Sequence, residues 1–318
     1  MYVYTSEKHL CDVDIYTNMA FTEIQERNGK KYYYRVITYR DGKKVKNKKI
    51  YLGVDLKKKE LSKAESQADV ELGILSTLLT KDEILELDNI RKKYLKQPNA
   101  TFENRYEAFV SQFTHDSTAI EGNTLTLQET AGLLFDEIIP SAKPLREVNE
   151  VLNHRKAFDS VLAYDGDITR DFILKLHKLV MKDTLSPEKD HQIGRFRNVQ
   201  VYIRGVNWIP PAPEDVPKEM RTLLSWYTKN KKKLHPIIVA TYFHIGFEIV
   251  HPFIDGNGRV GRLLMNFILH KNGYPMINIP LEKRYEYYDR LLAAQVDGSL
   301  RPFVDLLLEL LRKSKLMF

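Results

Sequence analysis

The pattern of apolar residues changes near residue 57, from the alternation typical of strands to the spacing typical of helices. Between residues 20 and 52, aromatic and β-branched residues are frequent, and Asn28-Gly29 and Asp41-Gly42 are dipeptides that favour tight hairpin turns. This stretch therefore predicts a three-stranded antiparallel meander. The apolar positions are Phe21, Ile24, Tyr32, Tyr33, Tyr34, Val36, Ile37, Tyr39, Val45, Ile50 and Tyr51.

From Lys57 onward the apolar residues recur every three or four positions, which predicts helices. The first two helices are expected over 57–75 and 81–95, before Pro98 interrupts the pattern. Further helices are expected over 102–113, 126–135, 145–164, 169–182, 217–227, 236–250, 259–271, 285–296 and 302–313. The fold class is therefore mainly α, preceded by a small antiparallel β region. We expect a basic β-rich domain over 1–60, a helical linker over 61–100 and a helical domain over 101–318.

One segment of the helical part follows a different pattern. Val199, Val201 and Ile203 alternate with polar residues, and Pro210-Pro211 ends the stretch. Alternation of this kind predicts a short β-hairpin.

Composition narrows the class of protein. The chain has 318 residues, of which 43% are hydrophobic, and no apolar run is long enough to cross a bilayer. Its first residues lack a basic region followed by an apolar one. The single cysteine, Cys11, has no partner within the chain for a disulfide. We therefore expect a globular protein of the cytoplasm, without a membrane partner.

The net charge of +7 is concentrated outside the helical domain. Lysines interleaved with tyrosines can bind nucleic acid through phosphate contacts and base stacking. Lysines on an exposed sheet edge also discourage aggregation, and that simpler explanation stays open. The residues are Lys30, Lys31, Lys43, Lys44, Lys46, Lys48, Lys49, Lys57, Lys58 and Lys59.

The residues with the clearest chemistry lie in the run His251-Pro-Phe-Ile-Asp-Gly-Asn-Gly-Arg-Val-Gly-Arg262. Glycine adopts positive φ readily, so Gly256 and Gly258 allow the backbone to aim its N–H groups at an anion. The apolar spacing that follows places this turn at the N-terminus of a helix, where phosphate is favoured by free amides and by the helix dipole. The run predicts a polyphosphate site.

This run resembles the signature of the Fic family, HxFx(D/E)GNGRxxR, with every fixed position filled. The resemblance implies a Fic-type helical bundle in which the predicted hairpin is the flap that pairs with the target backbone. It also implies transfer of AMP from ATP, with Mg²⁺, to a hydroxyl group of a protein. Val199, Val201 and Ile203 would then contact the target.

The resemblance also implies roles for the first residues of the run. His251 would be the general base, because an imidazole accepts a proton near neutral pH. Asp255 would hold Mg²⁺, which prefers one or two carboxylates together with phosphate oxygens. Phe253 is expected to be a buried anchor. His251 and Asp255 are also spaced as metal ligands on a helix, although Pro252 and the glycines disfavour a continuous helix there.

The remaining residues of the run would bind the nucleotide. Asn257 and the amides around Gly256 and Gly258 would stabilise charge on the α-phosphate. Arg259 would hold the α/β side and Arg262 the γ-phosphate, because a planar guanidinium suits phosphate oxygens.

Upstream, Ser117-Thr-Ala-Ile-Glu-Gly-Asn123 resembles the family's inhibitory motif, (S/T)xxxE(G/N). The resemblance implies an inhibitory helix at about 115–123 that precedes the catalytic residues. Glu121 would form an ion pair with Arg262 and keep it from the γ-phosphate, and Ser117 would support that carboxylate. The other interpretation is an ordinary surface helix end.

The leading hypothesis is thus a protein adenylyltransferase that is autoinhibited by Glu121. Its target protein is not identified by the sequence, and self-modification and homodimer formation are further expectations. A de-AMPylating hydrolase, or a bifunctional enzyme with the same site, is the nearest alternative. A nucleic-acid-binding regulator is the alternative from another class. His244 and His177 are expected to be hydrogen-bonded core residues rather than catalysts.

Overall fold

A computed structural model of the chain describes residues 20–41, 44–72, 75, 78–204, 206, 209–314 and 318. The chain divides into two compact units, Met1–Thr77 and Leu78–Phe318. This division falls inside the stretch 61–100 that the sequence assigns to a helical linker.

The first unit contains a three-stranded sheet and one helix. Its elements are β1 (Ala20–Arg27), β2 (Lys30–Asp41), β3 (Lys44–Val54) and α1 (Lys58–Leu72). The strands are antiparallel in the order β1-β2-β3, so the predicted meander is confirmed. Asn28 and Gly29 have φ of 51° and 72°, the positive values that a tight hairpin turn requires. Gly42, in the second predicted turn, lies outside the described residues.

Helix α1 packs on the sheet. Glu65 of α1 accepts a hydrogen bond from Thr22 of β1 and lies 3.8 Å from the guanidinium of Arg35 in β2. These contacts hold the helix across the two strands, while Ala68 is buried. The sheet thus buries one face against its own helix, as a small β unit must in order to be stable.

The second unit is helical. Its helices are α2 (Lys81–Leu95), α3 (Phe102–Ala119), α4 (Leu127–Phe135), α5 (Leu145–Leu162), α6 (Arg170–Met181), α7 (Val216–Asn230), α8 (Pro236–Val250), α9 (Asn257–Lys271), α10 (Arg284–Asp297) and α11 (Arg301–Lys313). Each corresponds to a predicted helix, because the apolar spacing that identifies a helix also determines the face that it buries.

Helix α8 is the centre of this unit. It is apolar on nearly all sides and packs against α7, α9, α10 and α11. Pro236 occupies the first helical position, where its missing N–H costs nothing. No helix among the described residues is long and apolar enough to cross a membrane. The apolar surface of α8 is instead buried inside the bundle, and His251 lies at the C-terminal end of the helix.

Helix α2 belongs to the second unit because it pairs with α11. Glu83 of α2 receives two hydrogen bonds from Arg301, and Glu86 receives two from Arg312. Thr80 and Glu83 form a capping box that begins α2 just after the boundary between the units.

The hairpin that the sequence predicts between Gly194 and Pro211 is not formed by the described residues. Residues 195–204, 206 and 209–211 contain no β-strand. The prediction was wrong for the three residues that it placed on a strand, which are Val199, Val201 and Ile203. These apolar residues belong instead to an irregular segment in which their side chains are partly exposed to solvent.

The physical reason is that side chains take the carbonyl groups that a hairpin would use. The Arg197 guanidinium donates to the carbonyl oxygens of Val199 and Pro211. The Gln200 amide donates to the carbonyl oxygen of Pro210. Pro210 and Pro211 carry no backbone N–H, so neither can donate to a strand ladder. Side-chain hydrogen bonds therefore replace the backbone ladder in this segment.

Candidate active site

The turn between α8 and α9 is built on two residues in the left-handed conformation. His251 has φ 46° and ψ 62° at the end of α8, and the following Pro252 disfavours continuation of the helix at position 251. Gly256 has φ 81°, and α9 begins at the next residue. A Cβ at position 256 would lie 2.6 Å from Sδ of Met181, so packing as well as φ requires glycine there.

Two buried side chains, those of Asn257 and His177, form hydrogen bonds with the backbone of this turn. The Asn257 amide accepts from the Phe253 N–H and donates to the Phe253 carbonyl, both at 2.9 Å. The Phe253 ring stacks on His177 with centroids 3.7 Å apart. The Gly194 N–H donates to Nδ1 of His177, so Nε2 is the protonated nitrogen and donates to the Asp255 carbonyl. Both buried residues therefore hold the backbone of the turn.

The N-terminus of α9 has a geometry suited to an anion. No side chain caps this helix at Gly256, so the first-turn amides are available to a ligand. A Cβ at position 258 would lie 2.2 Å from Oε1 of Glu121. The Glu121 carboxylate thus occupies the space that Gly258 leaves open in the first turn.

Arg262 is the cation of the site. It is 1% exposed, and its NH2 donates to Oε1 of Glu121 at 2.8 Å. Nε donates to Oγ of Ser117 at 3.0 Å, and NH2 also donates to the Ser117 carbonyl at 2.7 Å. Glu121 raises the pKa of Arg262 against the lowering effect of burial, so the guanidinium stays charged.

The turn that carries Glu121 is held from two directions. The Tyr288 hydroxyl of α10 donates to the Ile120 carbonyl at 3.1 Å. The Asn123 amide donates to the Glu147 carbonyl and to Oε2 of Glu150 on α5, both at 2.9 Å. The backbone on both sides of Glu121 is therefore fixed, and its carboxylate is presented to Arg262 at a low entropic cost.

His251 lies mostly buried beside these groups. Burial lowers the pKa of its imidazole to about 4, so the ring is neutral at pH 7. Nδ1 is buried, while part of the side chain remains exposed. A neutral imidazole with an exposed edge is able to accept a proton from an incoming group.

The neutral imidazole of His251 therefore lies at the end of α8, and the uncapped N-terminus of α9, together with the Arg262 guanidinium, lies on the next helix. The Fic/DOC family model matches residues 167–269, which contain both. This chain belongs to the Fic/DOC family.

Known Fic proteins resemble a larger part of the chain. It is 34% identical over 233 residues to the protein adenylyltransferase Fic of Nematostella vectensis, a match that covers 71% of this chain and 53% of that protein. It is 38% identical over 202 residues to the protein of the same name from Drosophila melanogaster, covering 62% of this chain and 39% of that protein. The chain thus spans about half or less of the length of these curated relatives.

A solved structure shows the same architecture. Fic-1 from C. elegans superposes with a TM-score of 0.65 and 28% sequence identity, covering 81% of this chain and 76% of that chain. The fold expected from the sequence, a helical Fic bundle, is confirmed.

Two signature residues of this Fic protein have orientations that the sequence did not predict. Arg259 is 2% exposed and turns inward, where its NH2 donates to Sδ of Met181 and to Oδ1 of Asp255. The Asn257 side chain is committed to Phe253. The phosphate-binding roles of both residues stay predictions, and the contribution of Asn257 would come from its backbone N–H.

Arg197, which no motif in the sequence singles out, joins the irregular segment to the turn between α8 and α9. Its Nε donates to the His251 carbonyl at 2.8 Å, and its backbone N–H donates to the Pro252 carbonyl at 2.9 Å. The guanidinium also reaches the carbonyls of Val199 and Pro211. The local sequence contains no strong signal for this role, because the partners lie far along the chain.

Replacement of Arg197 by alanine is expected to lower the free energy of unfolding by about 3 kcal/mol, since several buried or part-buried carbonyl groups lose a charged donor. The measurement is urea unfolding. Arg195→Ala, which removes an exposed arginine two positions away, is the matched control and should leave the midpoint nearly unchanged. Equal midpoints for the two variants would contradict the role of Arg197.

Acid should destabilise the protein. Burial lowers the pKa of five histidines to about 3 or 4, so the unfolded chain binds more protons below its ordinary histidine pKa near 6.5. Stability is then lost as pH falls from about 6.5 toward 4. Between pH 6.5 and 5 each histidine contributes a loss of about 1.5 kcal/mol. The histidines are His154, His177, His235, His244 and His251.

Glu248 has the opposite effect on stability. Burial raises its pKa to about 8, so this group favours the folded state as the pH falls, and its contribution offsets roughly that of one of the five histidines. The net expectation is a marked fall in unfolding midpoint between pH 7 and pH 5. Thermal unfolding at several pH values provides the measurement, and a constant midpoint over that range would contradict buried neutral histidines.

Proposed function

We propose that this chain transfers AMP from ATP to a hydroxyl side chain of a target protein, and that Glu121 inhibits the reaction. The proposal depends on one observation: a neutral His251 lies at one end of the turn, and the uncapped N-terminus of α9, with Arg262 on the same helix, lies at the other. The name of the relatives, protein adenylyltransferase Fic, supports the same activity.

The chemistry follows from these groups. His251 accepts the proton of the target hydroxyl, so that the oxygen attacks the α-phosphorus while pyrophosphate leaves. The amides at the start of α9 stabilise the charge that develops on the α-phosphate oxygens. Arg262 binds the γ-phosphate only after Glu121 has left it, because both ligands use the same guanidinium edge.

Asp255 fits the Mg²⁺ role. Its side chain is 48% exposed, and its hydrogen bonds from Gly256 and Arg259 both end on Oδ1, so Oδ2 is left for a cation. The described residues contain no cluster of three or more His, Cys, Asp or Glu able to hold a metal. One carboxylate together with phosphate oxygens is a typical Mg²⁺ environment. The ion would neutralise phosphate charge.

The target would approach along the segment that Arg197 holds over the turn. Val199, Tyr202 and Ile209 are exposed large apolar residues on this segment. An irregular segment can gain main-chain hydrogen bonds when a target strand adds to it. Self-modification, a homodimer and a cytoplasmic location stay predictions, and each can be tested with purified protein or in cells.

The test is incubation with Mg²⁺ and ATP labelled at either the α- or the γ-phosphate, using the chain alone and in a cell lysate. Label from the α-phosphate should appear on protein and label from the γ-phosphate should not. Transfer of γ-label instead would replace the proposal with a kinase reaction. Mass spectrometry of the labelled protein identifies the acceptor residue.

In the hydrolase alternative, water at the same site attacks the phosphorus of a modified target and the target hydroxyl leaves, so release of AMP from a pre-modified target would favour it. The comparisons do not favour a nucleic-acid-binding regulator. A salt titration of DNA and RNA binding by the full chain tests that alternative, since phosphate contacts produce a steep dependence on salt.

A further inference from the structure

Glu248 is a buried carboxyl group that the proposed reaction does not use. It lies on α8, one turn before His251. Arg262 of α9, Glu121 and Tyr287 of α10 are the charged or titratable groups that face it from other elements. Burial raises the pKa of Glu248 to about 8 despite the opposing effect of Arg262, so the carboxyl group is protonated at pH 7.

One oxygen of Glu248 faces the catalytic imidazole. Oε2 lies 3.8 Å from Nδ1 of His251, a buried atom that has no side-chain hydrogen-bond partner, although the His251 ring also interacts with the backbone of Glu248. The base must present an unprotonated Nε2 to the target hydroxyl, so Nδ1 must carry the hydrogen in the neutral ring. A small movement of the Glu248 side chain would let Oε2 accept that hydrogen.

The other oxygen faces a second histidine. Oε1 of Glu248 is buried without a hydrogen-bond partner, and Nδ1 of His244 is buried without a side-chain partner, although the His244 ring also interacts with the backbone of Gly261. A Cβ at position 261 would lie 2.5 Å from the first and 3.1 Å from the second, so Gly261 keeps open the space where they converge. Nε2 of His244 is 2.9 Å from the Tyr287 hydroxyl.

We infer that Glu248 is a positioning residue, whose carboxyl group holds the His251 ring with Nδ1 protonated and Nε2 facing the acceptor hydroxyl. Oε2 accepts from Nδ1 of His251, and the Oε1 hydroxyl donates to Nδ1 of His244. Nε2 of His244 then donates to the oxygen of Tyr287. That arrangement gives Oε1 of Glu248 a hydrogen-bond partner and gives each imidazole a side-chain partner besides its backbone interaction, which lowers the cost of burying the carboxyl group.

The inference rests on the proposed function and adds an orienting contact to it. The target oxygen forms a bond to the α-phosphorus, the bond between that phosphorus and the bridging oxygen breaks, and pyrophosphate leaves with the electron pair. The hydroxyl proton goes to Nε2 of His251. The imidazolium that results keeps its Nδ1–H directed at Oε2 of Glu248, which stabilises the charge.

Three variants test the inference, each combined with Glu121→Gly so that turnover is measurable. Glu248→Gln retains an oxygen toward His251 and an N–H donor toward His244, as the protonated acid does. Glu248→Leu removes both, and Glu248→Met is the second apolar variant in case the first fails to fold. We expect Glu248→Gln to retain at least about tenfold more kcat at pH 7 than either apolar variant.

A pH profile adds a readout that a packing role would not change. Burial, the main cause of the raised pKa of Glu248, remains in the Glu121→Gly background, so the Glu248 carboxyl ionises only as the solution becomes alkaline, and only the parent protein has such a group at this position. The parent and Glu248→Gln profiles should therefore diverge above pH 8. Profiles that stay parallel up to pH 9, with equal kcat in all variants, would overturn the inference.

The ring nitrogens of His251 can be observed without any turnover. ¹⁵N NMR of histidine-labelled full-length chain should show the Nδ1–H form in the parent and in Glu248→Gln, and a mixture of tautomers in the apolar variants. An unchanged tautomer in a folded apolar variant would overturn the inference. Since this spectrum requires no ATP, it remains decisive even if AMP transfer is absent from every variant.

Discussion

Replacement of Glu121 by glycine is expected to raise the rate of ATP-dependent modification by about 30- to 150-fold. This factor corresponds to about 2 to 3 kcal/mol in favour of the closed site, which is the difference that keeps a two-state site mostly inactive. The Glu121 carboxylate is 2.8 Å from a guanidinium that is 1% exposed, whereas the Glu121 side chain itself is 35% exposed. Solvent screening of the exposed partner argues for the lower part of that range.

The variant should remain folded because Arg262 keeps its other contacts. Ser117 still accepts from Nε and NH2, so the guanidinium is not left as an isolated buried charge. The change also empties the space beside Gly258, in the first turn of α9. Both effects leave the γ-phosphate site available while α3 stays in place.

The measurement is the initial rate of α-phosphate label transfer, with thermal unfolding to confirm the fold. Glu137→Gly is the matched control, because Glu137 is exposed in a loop and has φ 57°, which glycine adopts without strain. It should leave the rate unchanged. A folded Glu121→Gly protein with the rate of the parent would show that the ion pair does not inhibit.

Replacement of His251 by alanine, in the Glu121→Gly protein, is expected to lower kcat by about 100- to 10,000-fold. The side chain is the neutral base at the end of α8, and the structure places no second histidine at the exposed face of this turn, since His177 and His244 are fully buried within the described part of the chain. Nucleotide affinity should change little, because in the proposed site the phosphate contacts come from the backbone of α9 and from its Arg262 side chain.

Two measurements separate the effects: kcat from label transfer and the dissociation constant for ATP from calorimetry. His191→Ala serves as control, because His191 is an exposed histidine on the same unit. Loss of ATP binding together with kcat would assign His251 to binding rather than to proton transfer. A rate within a few fold of the parent would remove it from the reaction altogether.

The parts of the fold that depend on neighbouring residues were predictable. The Asn28-Gly29 turn has the positive φ values that its dipeptide favours, and α8 ends where Pro252 forbids it to continue. The turn of the candidate site is likewise encoded within residues 251–262. Short-range chemistry of this kind can be read directly from the order of residues.

The parts of the fold that depend on distant partners were not predictable from the sequence. Arg197 donates to carbonyls at positions 250 and 251, and the same guanidinium donates to the Val199 carbonyl within the segment for which the alternation of Val199 and Val201 favours a hairpin. The importance of Glu248 depends on the left-handed conformation of His251, which brings Nδ1 back toward the preceding turn. Neither relation has a signature in local spacing.

The position of Glu121 in the chain has a consequence during synthesis. It precedes its partner Arg262 by 141 residues, so α3 has left the ribosome well before α9 is translated. Domains emerge and fold from their N-terminal side. The proposed inhibitory glutamate is therefore synthesised before the proposed catalytic turn, and a nascent polypeptide has no stage at which this turn is complete while Glu121 is absent.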